Sequence, residues 1–173
     1  MNIIARTNTH NTTVAKGRKI DWLPIHFTAG VTSRSGAAAN TADWFKNPAS
    51  GGSADFIVDD ANIVQYNPDI RNRYCWSVGG KRYAGSLGGS LYGVVTNRNS
   101  ISVEICSTSR AGKVVDANDA AWYFTDAVLN QAAELVRYLM KEYGIDADHV
   151  VRHYDVSGRW CPGIRERRGV AKL

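Results

Sequence analysis

Nothing in the sequence is long and apolar enough to cross a bilayer, since a spanning helix needs roughly 18 or more consecutive apolar residues. Residues 1–19 also lack the apolar core of a secretory signal, so we expect synthesis in the cytoplasm without classical export. Internal repeats, low-complexity blocks and proline-rich linkers are absent as well. With 173 residues, the chain therefore suits one compact domain.

Cysteine is scarce, and the three residues are Cys75, Cys106 and Cys161. They are too few for a disulfide framework and too far apart to form a CxxC ligand pair. A disulfide between Cys75 and Cys106 is the minority expectation, because an unexported protein stays in a reducing compartment. The pattern favours one cysteine as a metal ligand and two as buried thiols.

The charge is moderately basic, with a formal net charge of +5 and a pI of about 9.2. A basic surface favours polyanions, whether nucleic acid, an anionic membrane or an anionic cell wall. The basic residues are scattered apart from Arg165, Arg167 and Arg168, and no nucleic-acid motif emerges. We therefore expect no nucleic-acid partner and no membrane insertion.

Hydrophobic periodicity predicts an α/β domain around a small mixed sheet with flanking helices. The long helix is predicted to end at Gly144, a residue typical of the position just past a helix. Residues 67–99 are glycine-rich and aromatic, which is typical of a functional loop. The predicted elements are strands at 22–28 and 100–106, a hairpin of 55–58 and 63–66, and helices at 35–46 and 119–143.

Residues 100–106 alternate in character, which predicts a strand with one face in the core. The apolar face is predicted to carry Ile101, Val103 and Ile105. The opposite face would carry Ser102, Glu104 and Cys106. Glu104 is thus a carboxylate on the polar face of a strand otherwise committed to the core.

A candidate metal site is formed by His26, at the end of an apolar strand, and by His153 and Cys161, which flank a glycine-containing loop. Three such ligands leave one tetrahedral position open, which is typical of catalytic zinc sites. Zinc in that setting lowers the pKa of water and polarises a carbonyl, as amide hydrolysis requires. His149 and His153 have the spacing of the helical HExxH motif, but the sequence reads HVVRH and lacks the glutamate. His149 is therefore left out of the site.

Three segments carry a resemblance to a known family: IHFTAG at 25–30, NSISVEIC at 99–106 and HYDVSGRWCPG at 153–163. Together, and in this order, they resemble the signature segments of the type 2 N-acetylmuramoyl-L-alanine amidases. These are the zinc amidases of phage endolysins and bacterial autolysins, related in fold to the peptidoglycan recognition proteins. The resemblance extends from about residue 20 to residue 165 and implies a single catalytic domain over residues 1–173.

By this resemblance, His26, His153 and Cys161 are the zinc ligands and Glu104 is the catalytic base. The chain departs from the family pattern elsewhere. Phe27 stands where many members have a second histidine, and Ala54 and Asp55 stand where some relatives have tyrosine and histidine. Arg159 replaces a catalytic lysine, and it is expected either to stabilise the oxyanion or to form a solvent-facing salt bridge, since a guanidinium stays protonated.

The implied partner is bacterial peptidoglycan, cut between N-acetylmuramic acid and L-alanine by a monomeric domain after release to the cell wall. Two alternatives are a non-catalytic peptidoglycan-binding module of the same fold and a zinc peptidase acting on the stem peptide. No wall-binding domain is expected after residue 173, so wall affinity would come from a longer chain or from the basic surface. The predicted substrate-binding residues are Trp44, Trp76, Tyr83 and Asn99.

Overall fold

The computed structural model describes residues 1–79 and 85–163. Its helices are α1 (Ala37–Phe45), α2 (Asp126–Tyr143) and α3 (His153–Ser157), with 3₁₀ turns at Pro48–Ser50, Asn97–Asn99 and Ala147–His149. Its strands are β1 (Ile3–Ala5), β2 (Thr12–Val14), β3 (Leu23–Phe27), β4 (Phe56–Val58), β5 (Ile63–Gln65), β6 (Arg73–Cys75), β7 (Val103–Ile105), β8 (Thr108–Ser109), β9 (Trp122–Tyr123) and β10 (Val150–Arg152).

Six of the strands form the central sheet, in the order β1-β5-β4-β7-β3-β10. Only the β4–β5 hairpin pairs antiparallel, and the other neighbours in this sheet are parallel. Two small antiparallel pairs, β2–β6 and β8–β9, lie outside it. The sheet is therefore mixed, as the sequence predicted, and its carboxyl edge brings β3 and β7 side by side.

Helices cover both faces of the sheet. Helix α2 packs its apolar stripe against one face, and its buried residues in this core are Val128, Ala132, Leu135, Val136 and Leu139. Helix α1 packs against the other face with Ala38 and Ala42, which contact Ile57 and Val64. Burial of each large aliphatic side chain stabilises the fold by about 1.5–3 kcal/mol. The result is a single three-layer α/β domain, which confirms the predicted fold class.

The predicted start of the long helix was wrong. Residues 119–125 do not join α2, because Trp122 and Tyr123 pair as β9 with β8 and the Trp122 indole donates to the Asp116 carbonyl at 2.9 Å. The helix begins after Thr125, whose Oγ1 accepts the Val128 N–H at 3.1 Å. It ends at Gly144 with a left-handed φ of 67°, as predicted.

The prediction that strand 100–106 has one buried face was also wrong, because both faces are covered. Ser102 and Cys106 are as buried as the apolar residues between them. Ser102 donates its N–H and hydroxyl to the buried Asp55 carboxylate, at 2.8 and 2.9 Å. Helix α1 and the residues before β4 supply this second cover. Only Glu104 on this face is partly accessible.

Cys75, Cys106 and Cys161 are free, buried thiols, so the Cys75–Cys106 disulfide is not formed. Strands β1 and β2, in the first twenty residues, had not been predicted. Among the described residues, no helix has the length and apolar composition needed to cross a membrane.

Candidate active site

The sheet places His26 and Glu104 side by side. The β3–β7 register pairs His26 with Glu104, and the β4–β7 register pairs Ile57 with the same glutamate. Since neighbouring residues in register point to the same face, all three side chains lie on the face opposite α2. Helix α1 covers Ile57 on that face. His26 and Glu104 lie beyond it and line a groove.

The other two candidate ligands reach His26 from the edge of the sheet. Strand β10 pairs with β3, and His153 begins α3 directly after β10. The chain then folds back, with Gly158 in a left-handed conformation and the Tyr154 N–H donating to the Cys161 carbonyl at 2.8 Å. This turn returns Cys161 to the site beside His153.

The ligand atoms of His26, His153 and Cys161 all lie within 4.8 Å of one another. The Cys161 Sγ is 3.7 Å from His26 Nδ1, and the two imidazole rings are 4.5 Å apart between centroids. All three residues are buried. The structure therefore brings together the residues that the sequence predicted as one metal site, and their role as ligands stays a prediction.

Burial keeps these groups neutral. It lowers the pKa of His26 well below its usual value, and the nearby His153 and Arg159 lower it further. Burial, helped by Arg159, lowers the pKa of His153 to about 4. Burial also raises the pKa of the Cys161 thiol, while a hydrogen bond with the Phe27 backbone acts in the opposite direction. Neutral imidazoles are the form that binds metals, and a cation would offset the cost of a buried thiolate.

Among the buried side-chain atoms without a hydrogen-bond partner in the part of the chain described is His26 Nε2. A buried polar atom without a partner destabilises the fold by about 1–3 kcal/mol. A bound cation near the imidazoles and the thiol would remove part of that cost. Nitrogen and sulfur donors of this kind suit a borderline-soft ion.

Glu104 is the carboxylate of the groove floor. Its Oε2 is shielded from solvent and lacks a hydrogen-bond partner among residues 1–79 and 85–163. Burial raises the pKa of Glu104 to about 7, against the opposing effect of the positive charge of Arg159. A carboxyl group with this pKa can both accept and release a proton near neutral pH, as a general acid–base residue must.

Arg159 also lines the groove, between the two ligands of the α3 segment. Its side chain is exposed, and no ion pair to it occurs within the described part of the chain. Its charge acts on Glu104 and on both histidines. Of the two roles predicted for Arg159, this placement favours the one at the oxyanion, which stays a prediction.

The groove has a volume of about 840 Å³ and contains one of the predicted aromatic residues. Trp76 lines it, with 44% of the residue exposed and its Nε1 donating to Thr13 Oγ1 at 2.8 Å. Trp44 is exposed outside the described groove lining, which contains its neighbour Phe45 instead. Tyr83 lies outside the described residues.

Asn99, also predicted to bind substrate, is absent from the described groove lining. Its side chain caps its own 3₁₀ turn, accepting the Thr96 N–H at 2.8 Å and donating to the Val94 carbonyl at 2.9 Å. Asn97, two residues earlier, lines the groove and was not predicted. Val78 was missed too, although the sequence had marked residues 67–99 as a functional loop.

Comparison with known proteins agrees with this architecture. Residues 16–164 match a family model described as N-acetylmuramoyl-L-alanine amidase. The chain is 33% identical over 144 residues to the N-acetylmuramoyl-L-alanine amidase CwlA of Bacillus subtilis (strain 168), covering 83% of this chain and 43% of that protein. It is 33% identical over 142 residues to XlyB of the same strain, covering 82% and 37%. The chain thus spans less than half the length of these relatives.

Solved structures resemble it over most of both chains. The catalytic domain of XlyA has a TM-score of 0.66 at 28% identity, with 94% of this chain and 90% of that chain covered. PlyL has a TM-score of 0.66 at 26% identity, with 99% and 91% covered. From the match to the family model and the identity to CwlA and XlyB, the chain belongs to the N-acetylmuramoyl-L-alanine amidase family.

Proposed function

We propose that this chain hydrolyses the amide bond between N-acetylmuramic acid and L-alanine in bacterial peptidoglycan, as a zinc-dependent, monomeric catalytic domain acting at the cell wall. The observation that carries the proposal is the convergence of two histidines and a cysteine beside a glutamate. These are His26, His153, Cys161 and Glu104, at the floor of one groove. Membership of the amidase family supports the choice of bond.

The residues present fit Zn²⁺. His26 and His153 would supply nitrogen and Cys161 would supply sulfur, which leaves room for substrate in a tetrahedral site. The buried His26 Nε2, which has no hydrogen-bond partner within residues 1–79 and 85–163, supports the binding of an ion at this position. When bound, Zn²⁺ polarises the substrate carbonyl and lowers the pKa of water.

Glu104 would move the proton of the reaction. Its carboxylate takes a proton from the attacking water and delivers it to the departing nitrogen of L-alanine, and a pKa of about 7 suits both steps. Arg159 would place its positive charge near the carbonyl oxygen as negative charge develops there. Because the guanidinium stays protonated, Arg159 stabilises charge and leaves proton transfer to Glu104.

The groove would hold the lactyl–peptide junction across Glu104. Its lining includes Gly51 to Ser53 and Trp76 to Gly79, two segments joined by the hydrogen bond from the Ser53 N–H to the Trp76 carbonyl at 3.0 Å. Trp76 would offer an exposed aromatic face to the substrate, either to a sugar ring or to the stem peptide.

The test is mass spectrometry of purified cell wall digested with the protein. The proposed amidase gives intact stem peptides with a free L-alanine amine and intact glycan strands. Cleavage inside the stem peptide would instead identify a peptidase, and an undigested wall would identify a binding module.

A variant pair sharpens this test. Glu104→Gln is expected to lose roughly 10²–10⁴-fold in activity while it retains zinc, because general acid–base catalysis contributes on this scale. Glu142→Gln is the control, since Glu142 lies on the surface in an ion pair with Arg71. Full activity in Glu104→Gln would overturn the assignment of the base.

A further inference from the structure

Part of the groove is lined by two segments that are remote in sequence and bonded to each other. Residues 50–53 and Trp76 all belong to the lining, and together they form what we call the joined wall. The Ser53 N–H donates to the Trp76 carbonyl at 3.0 Å, and the Trp76 N–H donates to Ser53 Oγ at 3.3 Å. A Cβ at Gly52 would lie 3.0 Å from the Trp76 carbonyl oxygen, so glycine permits this close approach.

Asn11 forms hydrogen bonds to both parts of the joined wall, although it is absent from the described groove lining. Its Nδ2 donates to Ser50 Oγ at 2.6 Å and to the Gly52 carbonyl at 3.1 Å. Its backbone carbonyl accepts the Trp76 N–H at 3.1 Å and the Ser53 hydroxyl at 2.6 Å. A single residue outside the lining therefore connects the two segments of the wall.

The backbone of Asn11 is itself well anchored. Its φ of 51° is left-handed, a conformation that asparagine adopts more readily than most other residues with a side chain. The residue is only 8% exposed and directly precedes β2, which pairs with β6. The buried Tyr66 donates its hydroxyl to the carbonyl of the preceding residue, His10, at 3.1 Å. With its backbone held in this way, the Asn11 amide can fix its neighbours.

We propose that Asn11 is a positioning residue for substrate binding, which holds the joined wall in the conformation that peptidoglycan meets. The inference rests on the proposed function and concerns binding in the groove, separately from the metal and the proton transfer. Gly51 and Gly52 give this wall more backbone freedom than other residues would, so without the Asn11 bonds the substrate would have to order it. Ordering the backbone of one residue corresponds to a factor of roughly 5–30 in an equilibrium constant.

The test measures KM and kcat of the zinc-loaded full chain on a soluble N-acetylmuramoyl-peptide. Asn11→Gly is the informative variant, because glycine keeps the left-handed φ and the backbone carbonyl and removes only the side chain. We expect KM to rise roughly 5–30-fold, with kcat and zinc affinity nearly unchanged, since substrate binding alone is weakened. Should Asn11→Gly not fold by circular dichroism, Asn11→Asp replaces it, because the carboxylate has nearly the same shape and no N–H to donate.

Asn72→Ala is the matched control. Asn72 directly precedes β6, at the opposite end of the β2–β6 pair, and is absent from the described groove lining. Its side chain also bonds to a remote segment, accepting the Gly17 N–H at 3.0 Å. We expect Asn72→Ala to lower thermal stability and to leave KM unchanged. An equal rise of KM in Asn11→Gly and Asn72→Ala would reduce the effect to general destabilisation and overturn the proposal.

A second measurement needs neither substrate nor turnover. Hydrogen exchange followed by NMR is expected to show faster exchange of the Ser53 and Trp76 amides in Asn11→Gly, while the amides of α2 keep the rates of the parent protein. Faster exchange throughout the chain, α2 included, would count against the inference. Unchanged exchange and unchanged KM would overturn it, while a parent protein that releases intact stem peptide left the proposed function intact.

The parent protein separates the two proposals. If it binds the N-acetylmuramoyl-peptide without cleaving it, the proposed function is overturned, and the dissociation constant replaces KM in the comparison of Asn11→Gly with Asn72→Ala. If it neither binds nor cleaves this substrate, both proposals are overturned.

Discussion

Burial of the Glu104 carboxylate leads to a prediction about stability that can be tested separately from catalysis. Burial raises its pKa from 4.5 to about 7. Each tenfold change in the acid constant corresponds to about 1.4 kcal/mol, so the ionised group destabilises the metal-free fold by about 3 kcal/mol. Glu104→Gln removes this charge, and the variant is expected to be more stable than the parent at neutral pH.

The pH dependence of the free energy of unfolding follows from the direction of this pKa shift. Below pH 4.5 the glutamate is protonated in both the folded and unfolded states, and its ionisation costs nothing. Between pH 4.5 and about 7 the unfolded state ionises first, so the parent protein loses stability as the pH rises. The stability difference between Glu104→Gln and the parent therefore grows across this window and is constant above it.

The assay is urea unfolding of chelator-treated protein at pH values from 4 to 8, followed by tryptophan fluorescence and circular dichroism. Glu142→Gln serves as the control, and it should stay within about 1 kcal/mol of the parent throughout, as exposed ion pairs do. A difference between Glu104→Gln and the parent that does not change with pH would refute the reasoning. With zinc restored, the difference should shrink, because a nearby cation favours the carboxylate.

Four further substitutions, one of them a control, test other parts of the fold. Burial raises the pKa of Tyr66 to about 12, so the folded parent should lose stability between pH 10 and 12, and Tyr66→Phe should lose less in denaturant titrations there. In Gly89→Ala the new Cβ would overlap the Asp155 carbonyl oxygen, which should displace α3 and weaken zinc binding in a chelator competition. In Gly112→Ala the new Cβ would have no atom within 4 Å, so zinc binding should be unchanged. Weaker zinc binding in Gly112→Ala than in Gly89→Ala would contradict this packing argument. Leu135→Ala removes a fully buried side chain and should cost about 2–5 kcal/mol in urea unfolding; a cost near zero would mean the core collapses around it.

The sequence was informative wherever a pattern is local. The apolar stripe of α2 and its glycine stop, the β4–β5 hairpin and the strand containing His26 were all confirmed. The start of α2 was not, because pairing of Trp122 and Tyr123 with β8 depends on contacts beyond the segment. Strands β1 and β2 are three residues each and were too short to give a periodic signal.

The sequence predicted which residues form the candidate site better than it predicted how they are arranged in space. The three ligand types could be named from the chain, whereas the β3–β7 register that places His26 beside Glu104 is a long-range property. Periodicity also could not decide which face of α1 meets the groove, and Phe45 lies there instead of Trp44. In the same way, the 3₁₀ turn separates Asn97, which lines the groove, from Asn99, which caps the turn.

The three candidate ligands belong to parts of the molecule with unequal anchoring. His26 lies on β3, which has a hydrogen-bonded strand on each side, β7 and β10. His153 and Cys161 follow β10, a three-residue strand at the sheet edge. An ion bound by all three residues would act as a crosslink between an interior strand of the sheet and the segment that follows its edge strand. Local opening of residues 150–161 would then require release of the ion, so the time for which the ion stays bound would set the resistance of these residues to proteolysis.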